Sequence, residues 1–430
     1  MSVPNVSHQV MDALQRETFD YFVHEANPLN GLIVDKTQPG APASIAAIGL
    51  ALSSYPAGVE RGFITRADAI ERTLTTLRFF RNSVQSTDPD ATGYKGFYYH
   101  FLDMKSGKRA WKCELSTVDT AFLLMGMLTA AFYFLEDTAD AREIRTLADE
   151  LYRRVDWNWA QNGSATVSMG WNPESGFLPY RWKGYDEALF LYLLGLGSPT
   201  HPLPKESYAA WASTYQWRTI YGHEFLFSGP LFTHQISHIW IDFRGIQDEY
   251  MRGNGIDYFE NSRRATYVQQ EYAIDNPSQF EGYHANCWGI TASDGPGPET
   301  RTIKNRKRQF FGYDARGVPD GPDDGSIAPW AVVASLPFAP EIVLPALEYF
   351  EKLKLREKNP YGFKATFNPT YPAQSGNAHG WISPWHYGLN QGPVVLMIEN
   401  YRTGLIWRLL RTCPYIVRGL RRAGFSGGWL

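Results

Sequence analysis

Cysteine is scarce in this chain. Its 430 residues include three, Cys113, Cys287 and Cys413, too few and too scattered for a disulfide framework, with no CxxC pair and no cluster of zinc-ligand spacing. They read as plain buried thiols. A long lipid-like run is also missing: the most apolar stretch, TAFLLMGMLTAAFYFL at 120–135, falls short of the roughly 20 residues a membrane span needs and reads as a helix inside a core, so no membrane insertion is expected. No excess of charge exists either. Lys and Arg number 41 against 44 Asp and Glu, a formal net charge of −3, which predicts no general attraction to nucleic acid or anionic lipid. The sequence shows no Walker loop, no dinucleotide-binding glycine fingerprint and no internal repeat of fixed period. The N-terminus, MSVPNVSHQVMDALQRETFDYF, lacks a basic segment followed by an apolar one, so no signal peptide is expected; the chain reads as cytoplasmic as it stands, and as periplasmic or secreted if a signal has been trimmed.

What is abundant is aromatic surface. Aromatic residues make up 15% of the chain, with 14 Trp and 25 Tyr; such side chains fill cores, and they also stack on sugar faces and offer polar tips at wet pockets. With 44% apolar and 20% charged residues, the composition is that of an ordinary globular protein. The length allows two domains or one large core. No composition shift or linker divides it, so one domain over 1–430 is expected, as a monomer or weak homo-oligomer.

Helical periodicity dominates, over 7–24, 43–54, 66–83, 116–135, 139–155, 185–196, 233–248, 261–273, 327–337, 340–355 and 393–411. Several of these segments alternate between wholly apolar and amphipathic, the pattern that two concentric layers of helices write into a sequence. Between them run long Gly/Pro/aromatic loops at 92–113, 161–184, 276–326 and 359–392, and ordered loops of that length usually carry function. A short strand is expected in YYHFLD.

Two apolar helices begin with carboxylates, each after an aromatic-rich loop. Ser116-Thr117-Val118-Asp119 has the form of a capping box, which accounts for Asp119 structurally; Glu114, outside the helix, has no such explanation. Asp186 and Glu187 open the segment YDEALFLYLLGLG, where they can complement the helix dipole or face a pocket with Trp182 and Tyr185. Glycoside cleavage needs two carboxyl groups, one donating a proton to the leaving oxygen and one serving as base or nucleophile. His234 and His238 have metal-ligand spacing, but Gln235 stands where an HExxH motif needs glutamate and no third ligand is suggested, so no metal is expected. GFSGG at 424–428 matches a nucleophile elbow in form alone, since neither helix nor histidine follows it. The basic run IKNRKR at 303–308 reads as a solvated loop. Three loop segments, HANCWGITASDGPGPE, PDDGSIAPW and GWISPWHYGLNQGP, join Trp to amide, carboxylate or imidazole groups suited to a polyhydroxylated ligand.

CELSTVDTAFLL, YDEALFLYLLGLGSPTHPLP, FTHQISHIWIDFRGIQDEYMRGNGIDYFENSRRAT, NCWGITASDGP, DDGSIAPWAVVASLPFAP and GLNQGPVVLMIENYRTGLIWRL together resemble the bacterial glycoamylase-like family, which includes the endo-β-1,2-glucanases of glycoside hydrolase family 144. The resemblance runs from about residue 110 to 411. It implies an all-α fold, an (α/α)6 barrel with long loops forming a cleft at one end, no cofactor, and hydrolysis of β-1,2-glucan to sophorose-type oligosaccharides. It implies Glu187 as general acid, with Glu114 and Asp119 as candidates for base or substrate-distorting contacts. The expected substrate surface comprises Trp182, Tyr185, Asp186, His234, Asn286, Trp288, Asp294, Trp381, His386, Tyr387, Asn390 and Gln391. Asn390 departs from the pattern, because related sequences often carry aspartate there in an IDQGP version of the motif. A hydrolase or transglycosylase of another glucan linkage, and a non-catalytic glycan-binding barrel, remain as alternatives, since a barrel scaffold does not fix linkage.

Overall fold

A computed structural model describes residues 5–372 and 379–430. Its helices, in chain order, are α1 (Asn5–His24), α2 (Ile45–Glu60), α3 (Arg66–Asn82), α4 (Thr117–Tyr133), α5 (Ala139–Arg154), α6 (Trp157–Gln161), α7 (Leu189–Gly197), α8 (Glu206–Ala212), α9 (Glu249–Asn254), α10 (Tyr258–Asp275), α11 (Pro329–Ala334), α12 (Pro340–Lys352), α13 (Gly388–Arg402), α14 (Leu405–Leu410) and α15 (Pro414–Arg422).

The apolar helices form an inner ring. Residues Ile45 to Gly58 of α2 and Thr117 to Ala131 of α4 are buried without a break, as are all of α7 and α11; a helix apolar all round can be stable only with protein on every side. α2 packs between α4 and α13, α4 meets α7, and α13 meets α11. The sixth position is held by two 3-10 turns, Leu231–His234 and Ile236–Ile239. They close the ring through polar contacts: the Phe190 N–H donates to Ser237 Oγ at 3.2 Å, and Gln235 Nε2 donates to the Ala331 carbonyl at 2.6 Å and to Ser335 Oγ at 2.7 Å. α1, α3, α5, α15, α10 and α12 cover this ring from outside. α5 shows why: Ala141, Ile144, Leu147, Ala148, Leu151 and Tyr152 recur every three or four residues and are buried, while its other faces carry charge. The result is the expected (α/α)6 arrangement.

α2 and α4 touch backbone to backbone. A Cβ on Gly49 would lie 2.1 Å from the Phe122 carbonyl oxygen, and one on Gly126 would lie 2.2 Å from the Gly49 oxygen. Neither obstacle is a flexible side chain, so a methyl group must push two inner helices apart. Gly49→Ala is expected to destabilise the protein by about 1–3 kcal/mol, read as a lowered thermal midpoint by circular dichroism.

Short strands gather the N-termini of the inner helices at one end. Ala43–Ser44, leading into α2, pairs with Phe101–Leu102. Leu115–Ser116, leading into α4, is the central strand of a five-stranded antiparallel sheet, flanked by Phe97–Tyr99 and Gly170–Asn172. Ile327 bridges Phe367 before α11, and Lys36 bridges Tyr387 before α13. The strand expected in YYHFLD is therefore split between two sheets.

Three helical expectations need correction. The segment 393–411 is two helices, α13 starting at Gly388 and α14, parted at Gly404, whose left-handed φ of 63° cannot continue a right-handed helix. The segment 233–248 is not an α-helix: after the 3-10 turns the chain is irregular, because Trp240 Nε1 donates to Ser53 Oγ at 2.8 Å and the Asp242 carboxylate is paired with Arg244 and Arg411, contacts that override local helical spacing. His234 and His238 consequently do not share one helix face. α7 begins at Leu189 rather than 185, since the Asp186 carboxylate accepts the Ala188 N–H at 3.0 Å and holds a turn ahead of the helix.

Candidate active site

The gathered N-termini enclose a cavity of about 660 Å³. Surface grooves of similar volume lie beside α3 and along the hairpin 299–310. The central cavity differs from them in collecting Asp35, Glu114, Asp119 and Glu187 around one space, together with His100, Trp182, Tyr387 and Asn390.

One wall is built at the start of α4. Ser116 caps the helix, its Oγ accepting the Asp119 N–H at 3.2 Å, and its hydroxyl donates to the Asp119 carboxylate. Only half of the expected capping box forms: the cap receives the helix N–H, while the carboxylate turns to the hydroxyl and to the cavity. Glu114 Oε1 lies 2.8 Å from His100 Nδ1, and Asp119 Oδ1 lies 3.7 Å from His100 Nε2. The imidazole stacks on Phe101 at 3.9 Å. Its side chain keeps 29% exposure and lines the cavity. Burial opposes the imidazolium, yet Asp119, the hydrogen bond and charge of Glu114, and Asp35 outweigh it and push His100 up to about 9. Burial would raise Glu114, and the His100 hydrogen bond and charge override it and lower it.

The facing side is built in the turn before α7. Asp186 accepts hydrogen bonds from the Ala188 N–H and from Trp211 Nε1, both at 3.0 Å, and so points back into the wall. That leaves Glu187 for the cavity. Burial, then the charge of Asp186, then that of Asp119, pushes Glu187 up to about 8. Burial raises Asp186 as well, against the pull of the Ala188 N–H and Trp211 Nε1, which favour its carboxylate form. Trp182 is fixed beside them, its Nε1 donating to Thr117 Oγ1 at 3.0 Å.

The third side is the entry to α13. The Gly388 N–H donates to the Asp35 carbonyl at 2.9 Å, which fastens the Asp35 segment to this helix start. Burial raises the Asp35 carboxyl to about 6, against the pull of His100 and Lys36. Lys36 Nζ lies 5.3 Å above the Tyr387 ring. Asn390 is 3% exposed, and its Oδ1 finds no hydrogen-bond donor among the described residues.

The remaining residues expected in the substrate surface lie elsewhere. Tyr185 packs among His234, Tyr215 and Tyr258. His234 is buried behind the wall, bonded to the Ser228 carbonyl and near Asn261, and burial lowers it to about 4. Trp288 is a fully buried core residue. Asn286 sits in the turn His284–Cys287, which packs on Tyr349 of the outer helix α12. His386 is buried against Tyr361, and Gln391 Nε2 donates to the Phe363 carbonyl at 3.4 Å. Trp381 pairs with Asn368 in a two-stranded ribbon outside the cavity lining. Asp294 stands behind Tyr387, accepting from Ser383 Oγ at 2.7 Å. These positions were chosen because amide, imidazole and indole groups suit sugars, and the same groups also satisfy buried backbone.

Residues 179–414 match the family described as glycoamylase. The chain belongs to the glycoamylase family. Among glycoamylase relatives, an exo β-1,2-glucooligosaccharide sophorohydrolase (non-reducing end) of Parabacteroides distasonis is 29% identical over 97% of this chain and 58% of its own length; the chain thus spans a little over half of that protein. The crystal structure of a "putative glucoamylase" from Bacteroides uniformis superposes over 100% of both chains with a TM-score of 0.87 at 34% identity. An endo-β-1,2-glucanase from Chitinophaga pinensis, solved with sophorotriose and glucose, superposes over 99% of both with a TM-score of 0.85 at 27% identity.

Trp330, the indole of PDDGSIAPW, lines the cavity, whereas Asp35, Lys36, His100, Trp111 and Tyr313 line it without having been singled out from sequence. Asp35 carries a usable signal, since it too is an acid shortly before an apolar inner helix, as Glu114 and Glu187 are. Trp111 is 63% exposed with a left-handed φ of 54°, followed by Lys112 at 51°, a conformation that bulky residues rarely adopt and that accompanies function when it occurs.

Proposed function

We propose that this chain is a glycoside hydrolase that cleaves β-1,2-linked glucan to sophorose-type oligosaccharides, acting as one domain, with Glu187 as general acid. The observation that carries the reading is the half-buried Glu187 carboxyl, raised to about 8 and facing a cavity whose other walls hold carboxylates. A carboxyl at that value is largely protonated at neutral pH and can still release its proton to a leaving glycosidic oxygen. The β-1,2-glucan-acting relatives supply the linkage. Trp182, Tyr387 and Asn390, joined by the exposed Trp111 and Tyr313, provide the mixture of aromatic faces and polar groups that pyranose rings require.

Incubation with linear β-1,2-glucan, laminarin and starch tests the reading. Release of sophorose-series products from the first, and none from the other two, is expected. Products from laminarin or starch alone assign another linkage, and glucan binding without any release makes the chain a non-catalytic binding barrel.

A further inference from the structure

Every cavity carboxylate except two is already engaged. Glu114 is bonded to His100 and Asp119 to Ser116, while Asp186, in the wall behind, is held by Ala188 and Trp211. The Asp35 and Glu187 carboxyls accept no hydrogen bond from another described residue: the influences on Asp35 are burial and charge alone, and those on Glu187 are burial, charge and its own backbone. The ring sets these two apart. In the order α2, α4, α7, the 3-10 pair, α11, α13, α7 and α13 are three places from one another, which is the diameter. Glu187 stands at the start of α7, and Asp35 is fastened to the start of α13 by the Gly388 N–H. Asn390 of α13 lines the same side of the cavity.

Given that the chain is a glucan hydrolase, we propose that Asp35 is the general base that takes the proton from the attacking water. The water oxygen bonds to the anomeric carbon while the glycosidic C–O bond breaks. The leaving oxygen takes the Glu187 proton, the Asp35 carboxylate takes the water proton, and exchange with solvent restores both groups. Opposite walls leave room for substrate and water between the carboxyls, the arrangement a base requires and a nucleophile does not. The groups that face Asp35 and set its charge are His100, Lys36, Asp119, Tyr21, Tyr313 and Tyr387. The ionised range of Asp35 then lies above about 6, below the range in which Glu187 loses its proton. Activity should therefore rise through the Asp35 limb and fall through the Glu187 limb.

The test is Asp35→Asn, isosteric at a side chain that makes no hydrogen bond among the described residues, assayed on linear β-1,2-glucan across pH 4–10 with glucan binding measured by calorimetry. A fall in kcat of about 10²-fold or more, binding within about threefold of wild type, and loss of the acid limb are expected. Asp35→Asn with kcat within threefold of wild type, or with the limb retained, overturns the assignment; so does a lost limb in Glu114→Gln or Asp119→Asn in its place. A wild-type protein that releases nothing from any glucan refutes the hydrolase reading itself and is recognised before any variant is made.

Discussion

Glu187→Gln is expected to lower turnover of β-1,2-glucan by at least about 10²-fold, the usual contribution of a general acid, while glucan binding stays within about threefold. The amide matches the carboxyl in shape and keeps a hydrogen-bond donor, so a loss confined to kcat reports the missing transferable proton. The stability of this variant separates chemistry from folding. Glu187 is raised from 4.5 to about 8, so folding takes up a proton between those values and the contribution of this group falls as pH rises through that window. Glutamine does not titrate. The variant should therefore be at least as stable as wild type at pH 8, with a flatter dependence between pH 5 and 8 by thermal melts. His100 acts in the same direction by the opposite charge: raised from 6.5 to about 9, it contributes fully below 6.5 and loses that contribution as pH rises through 9. Normal turnover in Glu187→Gln removes it from the acid role.

The ring was legible because its inner helices are apolar on every side and its outer ones on one. α2, α4, α5 and α7 write that difference directly into sequence, and α7 also announces its cavity end through Asp186 and Glu187. The 3-10 pair at 231–239 was not, since the polar contacts of Gln235, Trp240 and Asp242 that shape it are made with residues far along the chain. The site divides in the same way. Acids at helix starts could be found by position, and Glu114, Asp119 and Glu187 do meet in one cavity. Which of two adjacent acids faces inward depends on Trp211, a residue of α8 whose indole claims Asp186, and no local pattern contains that information. The His100 pairing needed the five-stranded sheet to bring residues 100, 114 and 119 together.

Arg316→Met should be the most destabilising change in the loops around the cavity. Asp324, in the segment PDDGSIAPW that composition suggested for sugar binding, is a brace. Its carboxylate receives Arg316 Nε and Nη2 at 2.8 Å each, and both side chains are fully buried. The same guanidinium donates to the carbonyls of Ser293, Phe311 and Gly312 at 2.7, 3.1 and 3.0 Å, and Asp324 also accepts the Phe311 and Ser326 N–H groups. One ion pair thus holds together the loop that carries Tyr313 to the cavity and the loop of Ser293 and Asp294 behind it. Methionine fills most of the volume but leaves a buried carboxylate without its cation, a loss of about 3–5 kcal/mol, and removes the guanidinium donor from the Ser293, Phe311 and Gly312 carbonyls in addition. Arg316→Lys keeps the charge without the planar fork and should lose less. The expected results are a large drop in thermal midpoint for Arg316→Met, a smaller one for Arg316→Lys, and in the lysine variant a raised KM with kcat nearly kept, because Tyr313 is displaced while Glu187 stays in place. Equal midpoints for the two variants would show that the fork geometry contributes nothing and that the loops are held by their other contacts.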